Sequence, residues 1–96
     1  MPAEPIEEYV VTSHAAFEMA RRGISHETVR DVMIAPEQRV PVRDGRVVLQ
    51  SRVARGTETK AALVRVFVDV DRVPAEVVTV YATTKIAKYW SLSHEG

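Results

Sequence analysis

The chain has 96 residues, of which 46% are hydrophobic and 27% charged, and its formal net charge is zero. That composition is one of a folding chain, and the length suits one domain, residues 1–96 with an ordered core over 8–90, built around a single hydrophobic layer. The absence of cysteine excludes a disulfide framework and any thiolate metal or redox site and favours the cytoplasm, while Met1–Glu8, with three glutamates, reads as no secretory signal and no stretch has the apolar length of a membrane span.

Glu8–Thr12 is β-branched and aromatic and predicts a short first strand. Ser13 then offers a cap for a helix over Ser13–Arg22, in which Ala16, Met19 and Ala20 share a face, and Gly23 ends it. Ser25 caps a second helix whose Val29, Val32 and Met33 form one stripe, and Pro36 stops it. Beyond Pro36 the period changes to two. Strands are predicted over Arg39–Val42 and Arg46–Val53 around the turn dipeptide Asp44-Gly45, then over Ala61–Val70 and Glu76–Ala82, with turns at Gly56–Thr59 and Asp71–Ala75. Thr83 or Thr84 can cap a terminal helix, Lys85–Trp90. The expected fold class is α+β: an N-terminal helical hairpin packed on a twisted, mainly antiparallel sheet of four to five strands, with a short C-terminal helix.

Alternation assigns the two sheet faces. Val47, Leu49, Val53, Val64, Val66, Val68, Val70, Val78 and Val80 are expected against the helices. The other face then carries Gln50, Arg52, Arg65, Phe67, Thr79 and Tyr81. Arginine forks bind phosphate and aromatic rings stack bases, so this set suits single-stranded RNA; it equally suits a solvated sheet face with aromatic cross-strand pairs. Charge is uneven as well. Met1–Gln38 holds three arginines against seven acids, whereas Arg39–Lys88 holds ten basic residues against five acids, so the sheet half is compatible with an anionic partner or with ordinary solvated charge.

The segments SHAAFEMARRGIS, HETVRDVMIAPE, DGRVVLQSRV and VVTVYATTKIAKYW resemble the bacterial domain-of-unknown-function family 4258. They carry a helical His before an Arg-Gly-Ile step, a Val-rich helix ending at Pro, and a last strand running into a lysine-bearing helix before Trp90. The likeness extends over Ser13–Trp90, nearly the whole chain. That family looks related to the RelE, ParE and BrnT toxins, which implies a RelE/ParE-like fold. RelE-like and BrnT-like relatives are metal-independent endoribonucleases, mRNA interferases of toxin-antitoxin systems, whereas ParE-like relatives inhibit gyrase without cutting RNA. Fold alone does not choose between them.

Under the ribonuclease expectation, the catalytic candidates are Arg52 and Arg65, as cations over the phosphorane, with His14 or Tyr81 moving protons. Gln50, Phe67, Lys85, Lys88 and Tyr89 are candidate RNA-binding residues, and Lys85, Lys88 and Tyr89 fall at i, i+3 and i+4. His14 is equally a solvent-facing first-turn residue, His26 reads as structural, His94 lies in the tail, and Trp90 is either a stacking platform or an anchor for the last helix. The three histidines lack ligand spacing, so no metal and no cofactor is expected. The expected partners are an RNA substrate or an antitoxin protein, with no membrane. The alternative is a non-catalytic protein-binding module, a ParE-like gyrase inhibitor or an inactive member on the same scaffold.

Overall fold

The computed structural model describes residues 3–54 and 61–92, so the turn expected at Gly56–Thr59 and the tail histidine His94 lie outside the described residues. In chain order the elements are β1 (Tyr9–Val11), α1 (Ser13–Arg22), α2 (His26–Ile34), β2 (Gln38–Arg43), β3 (Arg46–Ala54), β4 (Ala61–Asp69), β5 (Ala75–Thr83) and α3 (Ile86–Tyr89). The fold is α+β, with a five-stranded mixed sheet in the order β1-β5-β4-β3-β2. Strands β2 to β5 form an antiparallel meander, and β1 joins β5 in parallel from Tyr9–Ala75 to Val11–Val77. Among the described residues no helix is long and apolar enough to cross a membrane.

Local chemistry sets the helix ends. Thr12, not Ser13, caps α1: it is extended (φ −66°, ψ 158°) and its Oγ1 accepts from the Ala15 N–H at 3.1 Å. Gly23 closes α1 in the left-handed conformation at φ 68°, which costs a glycine nothing. Ser25 caps α2 by accepting from the Thr28 N–H at 3.0 Å. Strand β1 precedes both helices, as the residues Glu8–Thr12 predict. The helices make their main contacts with the sheet rather than with each other, α1 with β5 and α2 with β3 and β4. Ala15 and Met19 of α1, and Val29, Val32 and Met33 of α2, therefore bury against Leu49, Val64, Val66, Val68, Val77 and Val80.

Two register shifts correct the strict alternation. Between Phe67 and Val68 the β4–β5 ladder slips by one, so Val66 pairs with Val80 but Val68 pairs with Val77. A bulge of this kind turns one extra residue out of phase, and Val77 rather than Val78 enters the core, fully buried. A second shift lies between Pro41 and Arg43 in the β2–β3 hairpin. In its Asp44-Gly45 turn only Gly45 takes positive φ, at 80°, with Asp71 Oδ2 lying 2.7 Å from where a Cβ would stand.

Candidate anion-binding site on the second sheet face

The face away from α1 and α2 is not open. Val48 and Leu63, which alternate out of the helix-facing set, are buried, and Gln50 is completely so. The chain after β5 folds back across this face as α3, Trp90 and Ser91. Gln50 Nε2 donates to the Tyr89 carbonyl at 3.1 Å, and Gln38 Nε2 donates to the Ser91 carbonyl at 2.7 Å. The Ser91 N–H donates to Gln38 Oε1 at 3.0 Å. Burial of two primary amides is tolerated because every described buried side-chain polar atom has a partner.

Arg65 occupies the centre of this face. Strand register puts it between Gln50 on β3 and Tyr81 on β5. Its Nε donates to Gln50 Oε1 at 2.8 Å and its Nη1 donates to the Tyr81 hydroxyl oxygen. Three rings surround the guanidinium: Cζ lies 4.5 Å from the Tyr89 ring centre, 5.2 Å from Phe67 and 5.6 Å from Tyr81. Phe67 stacks on Tyr81 at 5.9 Å, and Tyr89 meets Tyr81 edge-on at 6.2 Å. Neutral oxygens and aromatic faces hold Arg65 in place, and among the described residues no carboxylate pairs with it. The half-buried guanidinium thus has neutral partners among the described residues, and Lys88 adds a second positive charge with Nζ 5.3 Å from the Tyr89 ring.

Arg52 has a different environment. Its Nε and Nη2 donate to Glu37 at 3.1 and 2.8 Å, its backbone N–H donates to the same carboxylate at 2.7 Å, and its guanidinium stacks 4.4 Å above Trp90. Those bonds hold the Glu37 carboxyl below the usual carboxylate range, chiefly through the Arg52 side chain. A phosphate at Arg52 would compete with Glu37 for the guanidinium. Arg52 and Trp90 also wall a hollow of about 520 Å³ with Ile86, Ala87 and Leu92.

The sequence-derived candidates thus divide. Arg65, Tyr81, Phe67 and Tyr89 come together, with Lys88 beside them, and Lys85 is exposed at the start of α3. Gln50 cannot face RNA, because it is fully buried and both ends of its amide are engaged; it orients Arg65 instead. His14 is exposed on the first turn of α1, which packs on the opposite side of the sheet, so it is not brought to Arg65. His26 is likewise exposed, at the start of α2. Gln38, a buried partner of this cluster, was not among the candidates. Only its place directly opposite Gln50 marks it, and the shift near Pro41 creates that pairing.

The fold and site define a small α+β protein with a mixed five-stranded sheet and an arginine held in an aromatic and amide setting on the face away from its two longer helices. The chain belongs to the family described as a domain of unknown function (DUF4258), whose model matches residues 11–82. The matched span includes Gln38, Gln50, Arg65 and Tyr81 and ends ahead of α3. No curated protein and no solved structure matches the chain.

Proposed function

We propose that this protein is a toxin-like, metal-independent endoribonuclease of the cytoplasm, related in fold to the RelE and BrnT toxins, that seats a phosphate of single-stranded RNA on Arg65. One observation carries the reading: the Arg65 guanidinium is half-buried, fixed by Gln50 and Tyr81, ringed by three aromatics and without a described carboxylate partner. A preorganised cation of this kind favours a phosphorane's developing charge, and the rings of Phe67 and Tyr89 offer flanking bases a stacking surface. Lys85 and Lys88 extend the positive surface along the RNA backbone.

The same geometry suggests the proton donor. The Tyr81 oxygen accepts from Arg65, which leaves its own proton for a ligand. In the proposed reaction the 2′ oxygen attacks phosphorus as its proton passes to water. The bond to the 5′ oxygen breaks, and Tyr81 protonates that leaving oxygen. The products are a 2′,3′-cyclic phosphate and a 5′ hydroxyl. The test is cleavage of end-labelled single-stranded RNA in EDTA, with and without ribosomes. Tyr81→Phe should slow cleavage about a hundredfold while RNA still binds, and Arg65→Ala should lose both; an intact chain that never cleaves would refute the enzymatic reading.

A non-catalytic reading has one observation in its favour. β1 pairs with β5 only over Ala75–Val77. A partner strand, such as an antitoxin segment, could continue along that edge of β5 by taking the Val80 carbonyl from Arg22 Nη1, which now donates to it at 2.8 Å.

A further inference from the structure

The segment after β5 crosses the second face with little burial of its own. No α3 side chain is fully buried, the helix has four residues, and its first turn has no side-chain cap. Such a helix does not hold itself together. Two buried glutamines tie it to the sheet, beside the Arg52 guanidinium that lies over Trp90. The Gln38 amide pairs with both backbone groups of Ser91, as a neighbouring strand would, and Gln38 Oε1 also accepts from Gln50 Nε2 at 2.7 Å. Gln50 in turn binds the Tyr89 carbonyl through Nε2 and Arg65 through Oε1. An unbroken chain of hydrogen bonds through the two side-chain amides therefore links Ser91 to the Arg65 guanidinium, and the same segment brings the Tyr89 ring to 4.5 Å from it.

We propose that Gln38 is a positioning residue that latches residues 86–91 as a strap, and that strap closure completes the Arg65 anion site by fixing the Gln50 carbonyl oxygen and the Tyr89 ring. The consequence for RNA rests on the proposed function above; the effect on Arg65 geometry does not. Closure builds the site and does not hide it, because Arg65 keeps part of its surface in solvent with the strap in place.

Gln38→Leu keeps the bulk and removes all three bonds of the amide. Ser91→Pro is the second variant: it removes the N–H that donates to Gln38 and leaves the Ser91 carbonyl that Gln38 binds, next to a Trp90 that is already extended (φ −71°, ψ 126°), as proline favours in its predecessor. Three readouts separate the possibilities. The single tryptophan, Trp90, reports the strap by emission, hydrogen exchange reports residues 86–91, and the Nε–Hε resonance of Arg65 reports its bond to Gln50 without any RNA. With circular dichroism unchanged, both variants should shift Trp90 emission to the red, lose protection over 86–91 and expose the Arg65 Nε–H to exchange. A labelled oligouridylate should bind about tenfold more weakly, a difference of about 1.4 kcal/mol, with Gln38→Leu the stronger effect. Unchanged Arg65 Nε–H exchange would overturn the proposal, as would tighter RNA binding, which would make the strap a cover. If the intact chain binds no RNA, the functional reading fails, and the Arg65 resonance still decides the role of Gln38.

Discussion

Trimming Val77 to alanine should cost this protein several times what trimming Val78 costs. The two residues are adjacent in β5 and identical in type, so backbone propensity is the same and only packing differs. Val77 is fully buried among the helices and the sheet, whereas Val78 is partly exposed. Removing two buried methyl groups costs about 1.6 kcal/mol in transfer free energy, and the cavity left behind raises this to about 2–3 kcal/mol. Val78→Ala should cost about 0.5 kcal/mol, the level of a surface change. For a domain of this size the first loss lowers Tm by about 10–20 °C and the second by about 2–4 °C. Urea titration and thermal melts followed by far-ultraviolet circular dichroism measure both. Equal costs, or a larger one at Val78, would refute the one-residue shift between Phe67 and Val68.

Three further outcomes follow from packing and charge. Leu63 lies fully buried on the face of Arg65, so Leu63→Ala should cost about 2–5 kcal/mol by urea titration; a cost near zero would mean that this face is not packed. Gly45→Ala should cost about 1–3 kcal/mol from its positive φ alone, and adding Asp71→Ala should recover only the steric part that arises at 2.7 Å; full recovery in a double-mutant cycle would contradict the strain assigned to the turn. Asp69 is buried and ion-paired to Arg46 through bonds of 2.6 and 3.2 Å, and that bonding holds its carboxyl below the usual aspartate range. The folded-state value is depressed, so the stabilisation is complete above the unfolded value of about 3.9 and is lost as pH falls through the folded one. The urea midpoint should therefore fall below about pH 4, and Asp69→Asn should lower stability at neutral pH while flattening that acid slope; parallel pH curves would argue against the pair.

What the sequence made legible was whatever a few neighbouring residues decide. Gly23 and Ser25 mark helix ends by local hydrogen bonding, the Asp44-Gly45 turn by conformational freedom at one glycine, and the meander by alternation of valines. What stayed hidden depends on contacts between distant segments. Counting outward from Arg43 opposite Arg46 puts Gln38 across from Ser51, and only the shift near Pro41 brings it to Gln50. Alternation placed Gln50 and Arg65 on one face correctly, but strand periodicity cannot say that a later segment covers that face. For the same reason Gln50 read as a surface group although its amide is buried, and alternation within strands left open whether His14 meets Arg65, from which the sheet separates it. The parallel pairing of β1 with β5 is likewise a long-range contact, since 66 positions separate Tyr9 from its partner Ala75.

The central claim is that Arg65 is a phosphate seat, and its most direct test is the affinity of a labelled single-stranded RNA for the intact chain and for Arg65→Ala, measured by fluorescence anisotropy over a series of salt concentrations. The account predicts binding that weakens with salt, a loss of at least about tenfold on removing Arg65, and a shallower salt dependence in the variant. Equal affinity and equal salt dependence in the two proteins would contradict it.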